Sequence, residues 1–130
     1  MPVVPQNFRK FYHPVDTALE LKAIGAAVTT STTHGSYYIG GCQEVTAFAN
    51  ITAVTVTTGI FLVLEGGSDA SFTASREIAR IPVLTGNVGI LNMSAITEQF
   101  DVTYPYVRLK SVLGASDSLT FSAYLCPDLS

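Results

Sequence analysis

Residues 51–65 read ITAVTVTTGIFLVLE, and this stretch decides the fold. Residues 51–58 are almost all β-branched, and such side chains fit the pleat of a sheet better than a helix surface. Gly59 separates them from residues 60–65, which are apolar on both faces of an extended chain. A run of that kind is typical of a central strand covered on both sides. The stretch therefore predicts two strands of an all-β domain.

Apolar and polar residues alternate with a period of two on both sides of this stretch, which predicts further strands. Turn signals rich in Gly, Ser, Asn and Asp separate them about every 8–12 residues. About eight or nine short strands with this spacing indicate an antiparallel β-sandwich or jelly roll. The further strand candidates are residues 17–24, 36–39, 43–50, 77–84, 87–93, 106–112 and 118–125.

The alternation also predicts which side chains face the core. Arg108 and Lys110 fall on the outward face of their strand. Arg108 is charged within a strongly apolar strand, so we expect it to point to solvent or to form an ion pair, for which Glu65 is one candidate. The predicted inward-facing residues of the last two strands are Val107, Leu109, Ser111, Leu119, Phe121, Ala123 and Leu125.

Two segments leave alternatives open. Residues 29–35 are crowded with Thr and Ser and end at His34-Gly35, which predicts a loop or a short β excursion. In residues 94–99 a helical turn competes with a strand, because Ala95, Glu98 and Gln99 accept it. Neither segment is long enough to change the fold class.

Residues 1–16, MPVVPQNFRKFYHPVD, differ from the rest of the chain. Prolines at positions 2, 5 and 14 forbid a helix and favour extended backbone. We expect an extended N-terminal arm over residues 1–16 that docks on its own domain, on a sister subunit or on another protein, followed by one β-sandwich domain over residues 17–130. A first edge strand of the same sandwich is the alternative. The aromatic and basic residues of the arm are Phe8, Arg9, Lys10, Phe11, Tyr12 and His13.

Charged residues make up 13% of the 130-residue chain, against about 25% in ordinary soluble domains. Either partners cover part of the exterior, or Thr and Ser form the outer faces of the sandwich. The net charge is −3 and no run of Lys or Arg occurs, which argues against nucleic acid as a ligand. No apolar stretch of about 18 residues predicts a membrane span, and the N-terminus lacks the features of a signal peptide. We therefore expect a protein made and kept in the cytosol.

The search for catalytic and ligand-binding patterns leaves no strong candidate. Neither His13 nor His34 lies beside a nucleophile signature, and Glu65 with Asp69 or Glu98 with Asp101 are weak carboxylate pairs. We expect no enzyme, no metal and no cofactor. The acidic residues Asp69, Asp101 and Asp117 are expected to cap turns. Four tyrosines are expected either to make a stacking platform or to cover a sheet face or an interface. Two cysteines are expected to be reduced and partly buried rather than bridged. These are Tyr37, Tyr38, Tyr104 and Tyr106, and Cys42 and Cys126.

Two segments together carry a family resemblance: IFLVLEGGSDASF at residues 60–72 and YVRLKSVLGASDSLTF at residues 106–121. In the first segment a strand leads into a Gly-Ser-Asp turn and an aromatic residue. In the second segment an aromatic-Val-Arg strand is followed by a Gly/Ser turn and a closing strand. This pairing resembles small β-sandwich proteins of tailed bacteriophages, in particular capsid decoration (cement) proteins and related virion proteins. The resemblance covers roughly the C-terminal half of the chain.

The resemblance implies a jelly-roll-like subunit, often trimeric, that sits on the capsid exterior and bridges neighbouring capsomers. We therefore expect a structural virion protein, made in the host cytoplasm, whose partners are the major capsid protein and itself as a homotrimer. In this view Phe8, Phe11 and Tyr12 supply apolar anchors, and Arg9 and Lys10 pair with capsid carboxylates. The alternative is a receptor- or glycan-binding β-sandwich module of a phage tail or fibre.

Overall fold

The computed structural model describes residues 19–40, 44–86, 88–99 and 102–127, and every regular element in them is a β-strand. No helix in this part of the chain is long and apolar enough to cross a membrane. The predicted arm at residues 1–16 and Cys42 lie outside the described residues. The strands are β1 Glu20–Lys22, β2 Thr32–Tyr38, β3 Glu44–Thr55, β4 Ile60–Gly67, β5 Ser75–Val83, β6 Gly89–Ile96, β7 Glu98–Gln99, β8 Val102–Thr103, β9 Tyr106–Leu113 and β10 Ser118–Pro127.

Eight of these strands form two four-stranded antiparallel sheets. Sheet A has the order β1-β10-β3-β6 and sheet B the order β2-β9-β4-β5, while β7 and β8 form a separate two-residue ladder. The first strand pairs with the last, the second with β9, β3 with β6, and β4 with β5. One long hairpin rolled up in this way is a jelly roll. The predicted all-β antiparallel sandwich is confirmed.

The core lies between the two sheets and follows the period-two alternation. All seven residues predicted to face inward on β9 and β10 are at most 1% exposed. The stretch quoted first supplies one strand to each sheet, and Ile51, Ile60, Leu62 and Leu64 are buried in the core cluster. Val63 faces the opposite way and is only 2% exposed, while Phe61 and Glu65 on the same face are half-buried, so the outer face of β4 is only partly covered.

Some boundaries differ from the prediction. Residues 44–50 and the start of the β-branched run form one continuous strand, β3, which spans Glu44–Thr55. Of the two alternatives for residues 29–35, the β excursion forms from Thr32 onward, because Thr32 and Thr33 pair with Ser111 and Lys110 of β9.

The helical turn considered for residues 94–99 does not form. Residues 94–96 complete β6, where Ala95 pairs with Val45 and Ile96 with Glu44, and β7 follows. Residues 19–24 are the described part of the strand predicted for residues 17–24, and within them the strand β1 covers Glu20–Lys22. Here an irregularity in the pairing between Glu20 and Lys22 interrupts the ladder, and irregularities of this kind redirect side chains.

Side chains fill the space between the sheets. The cavity beside β3 and β6, lined among others by Leu62, Met93 and Leu109, has a volume of about 10 Å³. A volume of that size holds about one water molecule. Binding to this region of the sandwich therefore has to use its exterior.

Candidate functional site

The outer face of sheet B carries an interlocked set of charged and aromatic side chains. We call it the sheet B face: the outward-facing residues of β2, β9, β4 and β5, together with Phe72 from the loop between β4 and β5. Three of its residues are cations and two are carboxylates, so this face has a net charge of +1 on a chain whose net charge is −3. The charged residues are Arg80, Arg108, Lys110, Glu65 and Glu77.

Arg108 and Glu65 form the first ion pair of this face. The two residues lie opposite each other on β9 and β4, and Nε of Arg108 is 2.7 Å from Oε1 of Glu65. The guanidinium carbon of Arg108 also lies 4.2 Å from the ring centroid of Phe72. Of the two alternatives predicted for Arg108, solvent exposure or an ion pair, the ion pair forms, and its partner is the candidate Glu65. It holds Arg108 in one orientation, with its side chain 25% exposed.

Phe72 reaches the sheet because the β4–β5 loop folds back over it. Its φ of 54° is unusual for a residue with a side chain, and its ring occupies the space that a Cβ on Gly67 would need. Asp69 organises the loop by accepting hydrogen bonds from the backbone N–H groups of Ser71 and Thr73. The hydrogen bonds from Thr73 are the main reason why the pKa of Asp69 lies below its usual value. Asp69 therefore caps a turn, as predicted.

Arg80 and Glu77 form the second ion pair, which is bidentate. Nε and the second guanidinium nitrogen Nη2 of Arg80 each lie 2.9 Å from a different carboxylate oxygen of Glu77. The guanidinium also stacks over the ring of Phe61, with its carbon 4.7 Å from the centroid. The hydrogen bond to Arg80 lowers the pKa of Glu77 and raises that of Arg80. Both charged groups are thus ordered before any partner binds.

Lys110 lies beside the first ion pair on β9 and across Val63 from Arg80. Val63 of β4 pairs with Arg80 on one side and with Lys110 on the other, and it is buried between them. Lys110 is half-buried, and within the described part of the chain its ammonium makes no hydrogen bond or salt bridge. Its charge contributes to the lowered pKa of Glu77. A half-buried cation with free hydrogen-bonding capacity thus occupies the middle of the sheet B face.

Only two of the four tyrosines proposed as a stacking platform come together. The rings of Tyr38 and Tyr106 meet edge to face at 5.1 Å between centroids, and Tyr38 is 67% exposed. Tyr104 is buried and packs directly against Gly66, so closely that a Cβ at Gly66 would collide with the tyrosine side chain. The hydroxyl of Tyr37 donates to the backbone oxygen of Glu20. The platform of four tyrosines is therefore wrong, and a pair at one end of the sheet B face replaces it.

His34 and Ser111 have the spacing of a catalytic pair. Nε2 of His34 is 2.8 Å from Oγ of Ser111, but Ser111 is fully buried, so this hydroxyl has no access to a substrate. The His34 ring packs edge-on against the ring of Phe121, and the ammonium of Lys22 lies over the ring of Phe121. Burial first, and then the charge of Lys22, lower the pKa of His34. In this structure the pair joins the neighbouring strands β2 and β9.

The carboxylates considered as catalytic pairs have other positions. Glu65 bonds Arg108 and Asp69 caps its own loop, so these two do not act as a pair. Asp101 and the side chain of Glu98 lie outside the described residues. No group of three or more His, Cys, Asp or Glu residues that could hold a metal ion occurs in the described part of the chain. Cys126 is half-buried on sheet A.

The predicted contact residues Phe8, Arg9, Lys10, Phe11, Tyr12 and His13 all lie outside the described residues. The sheet B face was missed at the sequence level, although one signal for it was present. The alternation placed Arg108 and Lys110 on one face, but the positions of Phe61, Glu77 and Arg80 beside them depend on strand register.

No protein-family model matches this chain, and neither the curated proteins nor the solved structures contain a match.

Proposed function

We propose that the chain is a structural virion protein that decorates and stabilises a bacteriophage capsid by bridging major capsid protein subunits. The proposal starts from the family resemblance of the C-terminal half. The observation that carries it furthest is the sheet B face, with its ordered arginines, its aromatic rings and its half-buried Lys110. A protein with this role needs no catalytic residue, metal or cofactor, and it binds neither nucleic acid nor membrane.

The arginines and aromatic rings of the sheet B face are residue types found in protein-binding surfaces. Arg, Tyr and Phe are enriched in protein interfaces, and Arg and Tyr are enriched among the residues that dominate binding energy. Arg80 and Arg108 are already held by Glu77 and Glu65 and by aromatic rings. Because fewer side chains have to be ordered on binding, less of the interaction energy is lost.

Lys110 gives the proposed contact its chemistry. A partner that covers the sheet B face removes water from this ammonium, which then needs an acceptor. A carboxylate on the capsid surface meets that need and matches the net positive charge of the face. We therefore place an acidic patch of the major capsid protein against Lys110.

Trimerisation increases the strength of such a contact. Three copies of a weak site on one particle bind far more tightly than one copy does, provided that all three reach the capsid together. A homotrimer on the capsid exterior, assembled in the host cytoplasm, satisfies that condition. Residues Phe8, Phe11 and Tyr12 of the arm, with Arg9 and Lys10, form the second proposed contact in this assembly, and His13 lies in the same segment.

The test is binding of the purified protein to expanded phage heads that lack their decoration protein, measured by co-sedimentation. Lys110→Ala is expected to weaken binding by about tenfold or more, the loss typical of a central interface residue. Asn50→Asp on the opposite sheet makes the same change in net charge and serves as the matched control. Deletion of residues 1–13 is expected to abolish binding while the β-sheet circular dichroism spectrum is retained.

Three results contradict parts of this proposal. If the unmodified chain does not bind heads, the decoration function is wrong. If Lys110→Ala binds as well as the unmodified chain does, the sheet B face is not the contact. If the chain without residues 1–13 still binds, the arm is not a gripping element.

A further inference from the structure

The outer face of sheet A differs in chemistry from that of sheet B. Strands β3, β6 and β10 contain no Lys or Arg, and Lys22 of β1 is turned toward the ring of the buried Phe121. The outward positions of β3, β6 and β10 carry mainly hydroxyl, carboxamide and aromatic groups. A charged partner has no counter-ion there except at the margins, where Glu20 and Glu44 are exposed.

One row of side chains crosses all four strands of this sheet. Glu20 pairs with Tyr124, Tyr124 pairs with Phe48, and Phe48 pairs with Asn92. Neighbouring strands are about 4.8 Å apart, so the row spans about 14 Å. It presents, in order, a carboxylate, a phenol, a phenyl ring and a carboxamide, which we call the sheet A row.

The polar groups of the sheet A row are not engaged elsewhere. Within the described part of the chain the side chains of Glu20, Asn92 and Tyr124 make no hydrogen bond, and neither does Asn50 beside the row. Glu20 and Asn92 are exposed, while the aromatic rings of Phe48 and Tyr124 are half-buried and held by the sheet. Thr46 and Ser94 border the row with their hydroxyls 2.9 Å apart.

We propose that the sheet A row is a binding site for a neutral saccharide. A sugar ring has an apolar face of C–H groups that packs on aromatic rings, and hydroxyls at its rim that need donors and acceptors. Phe48 and Tyr124 supply the rings. The carboxamides of Asn50 and Asn92 both donate and accept, and the carboxylate of Glu20 accepts.

A protein partner fits this surface less well. Protein interfaces are depleted in Ser and enriched in Arg, whereas Ser94 is exposed on this face and Arg is absent from β3, β6 and β10. The large exposed apolar residues Ile90 and Ile96 lie on the edge strand β6 rather than in the middle of the sheet. The two outer faces thus differ in the partners that they suit, and this proposal is independent of capsid binding.

The experiment uses the full-length chain and an array of neutral oligosaccharides built from hexoses and N-acetylhexosamines, followed by calorimetric titration with the strongest binder. Tyr124→Ala and Asn92→Ala are each expected to weaken binding about tenfold or more. Tyr38→Ala removes an exposed aromatic ring from the opposite sheet and is expected to leave the affinity unchanged. Thermal melts of the variants confirm that each one is folded.

Three outcomes overturn the proposal. The first is the absence of binding to any neutral oligosaccharide in the array. The second is binding that Tyr38→Ala weakens as much as Tyr124→Ala does. The third is that the chain binds no saccharide and that Tyr124→Ala changes its oligomeric state. This result would make the sheet A row a contact between copies of the chain. None of the three alters the head-binding test, which depends on Lys110 and residues 1–13.

Discussion

At the scale of single residues, Asp117 shows how one buried carboxylate joins two distant loops. It lies 60 residues after Thr57, yet its Oδ1 accepts hydrogen bonds from the backbone N–H groups of Thr57 and Thr58. Its Oδ2 accepts from Gly59 and Gly114. The sequence predicted a turn cap at this position, and the structure confirms a cap that spans two loops.

The protonation of Asp117 links this cap to pH. Burial by itself raises the pKa of the carboxyl, but the hydrogen bonds from Thr58, Thr57, Gly59 and Gly114 outweigh it and lower the pKa to about 2. The folded-state pKa is below the ordinary value of 3.8, so the ionised carboxylate stabilises the fold fully above that value. The contribution is lost as the pH falls from about 4 toward 2.

We expect Asp117→Asn to lower the melting temperature at pH 7 by about 5–10 °C, because an amide group replaces one acceptor oxygen by a donor. The gap between the two proteins is expected to narrow as the pH falls from 4 to 2. Calorimetric melts across this range provide the measurement, and Glu44→Gln, which changes an exposed carboxylate at the start of β3, is the control. A gap that stays constant down to pH 2 would show that the charge of Asp117 does not stabilise the fold.

At the scale of elements, β1 and β2 close one side of the sandwich through His34. Its ring is hydrogen-bonded to Ser111 of β9 and packs on Phe121 of β10, while Lys22 of β1 lies over that same ring. A proton on His34 would place a second positive charge beside Lys22. The lowered pKa of His34 means that the unfolded chain binds this proton more readily than the folded chain does.

The stabilising effect of neutral His34 is therefore present above pH 6.5 and is lost as the pH falls below it. We expect His34→Gln, which keeps a hydrogen-bonding group near Ser111 but does not titrate, to reduce the fall in melting temperature between pH 7.5 and pH 5 by a few degrees. Thermal melts of both proteins at both pH values measure this fall in melting temperature. His13 is present in both proteins and therefore does not distinguish them. An equal fall in the two proteins would exclude His34 as the titrating group.

At the scale of the whole molecule, the jelly-roll order makes the two ends of the chain depend on each other. β10 lies between β1 and β3, so sheet A cannot be completed until the last strand has been added. Long-range pairing of this kind has a high cost in loop closure and gives slow folding. All eight sandwich strands of the described residues lie between Glu20 and Pro127.

A chain that ends at residue 113 lacks β10, and we expect it to show no cooperative thermal transition. A chain of residues 17–130 keeps all eight strands of the two sheets and is expected to melt cooperatively. Circular dichroism melts and amide NMR spectra of both fragments distinguish these cases. Cooperative melting of the chain that ends at residue 113 would show that the fold does not need β10. Loss of cooperative melting in the chain of residues 17–130 would disprove the predicted domain boundary.

The sequence by itself determined the fold class, the inward and outward faces of the strands, and the pairing of Arg108 with Glu65 as one of two possibilities. These follow from the pleat of a strand, whose period of two is a local property that any short segment displays. Only the tertiary structure decided the strand order and register. Register placed Arg80 and Lys110 on either side of Val63 and aligned the sheet A row across four strands. Register depends on partners distant in the chain and on the bulges between them, which no local pattern specifies.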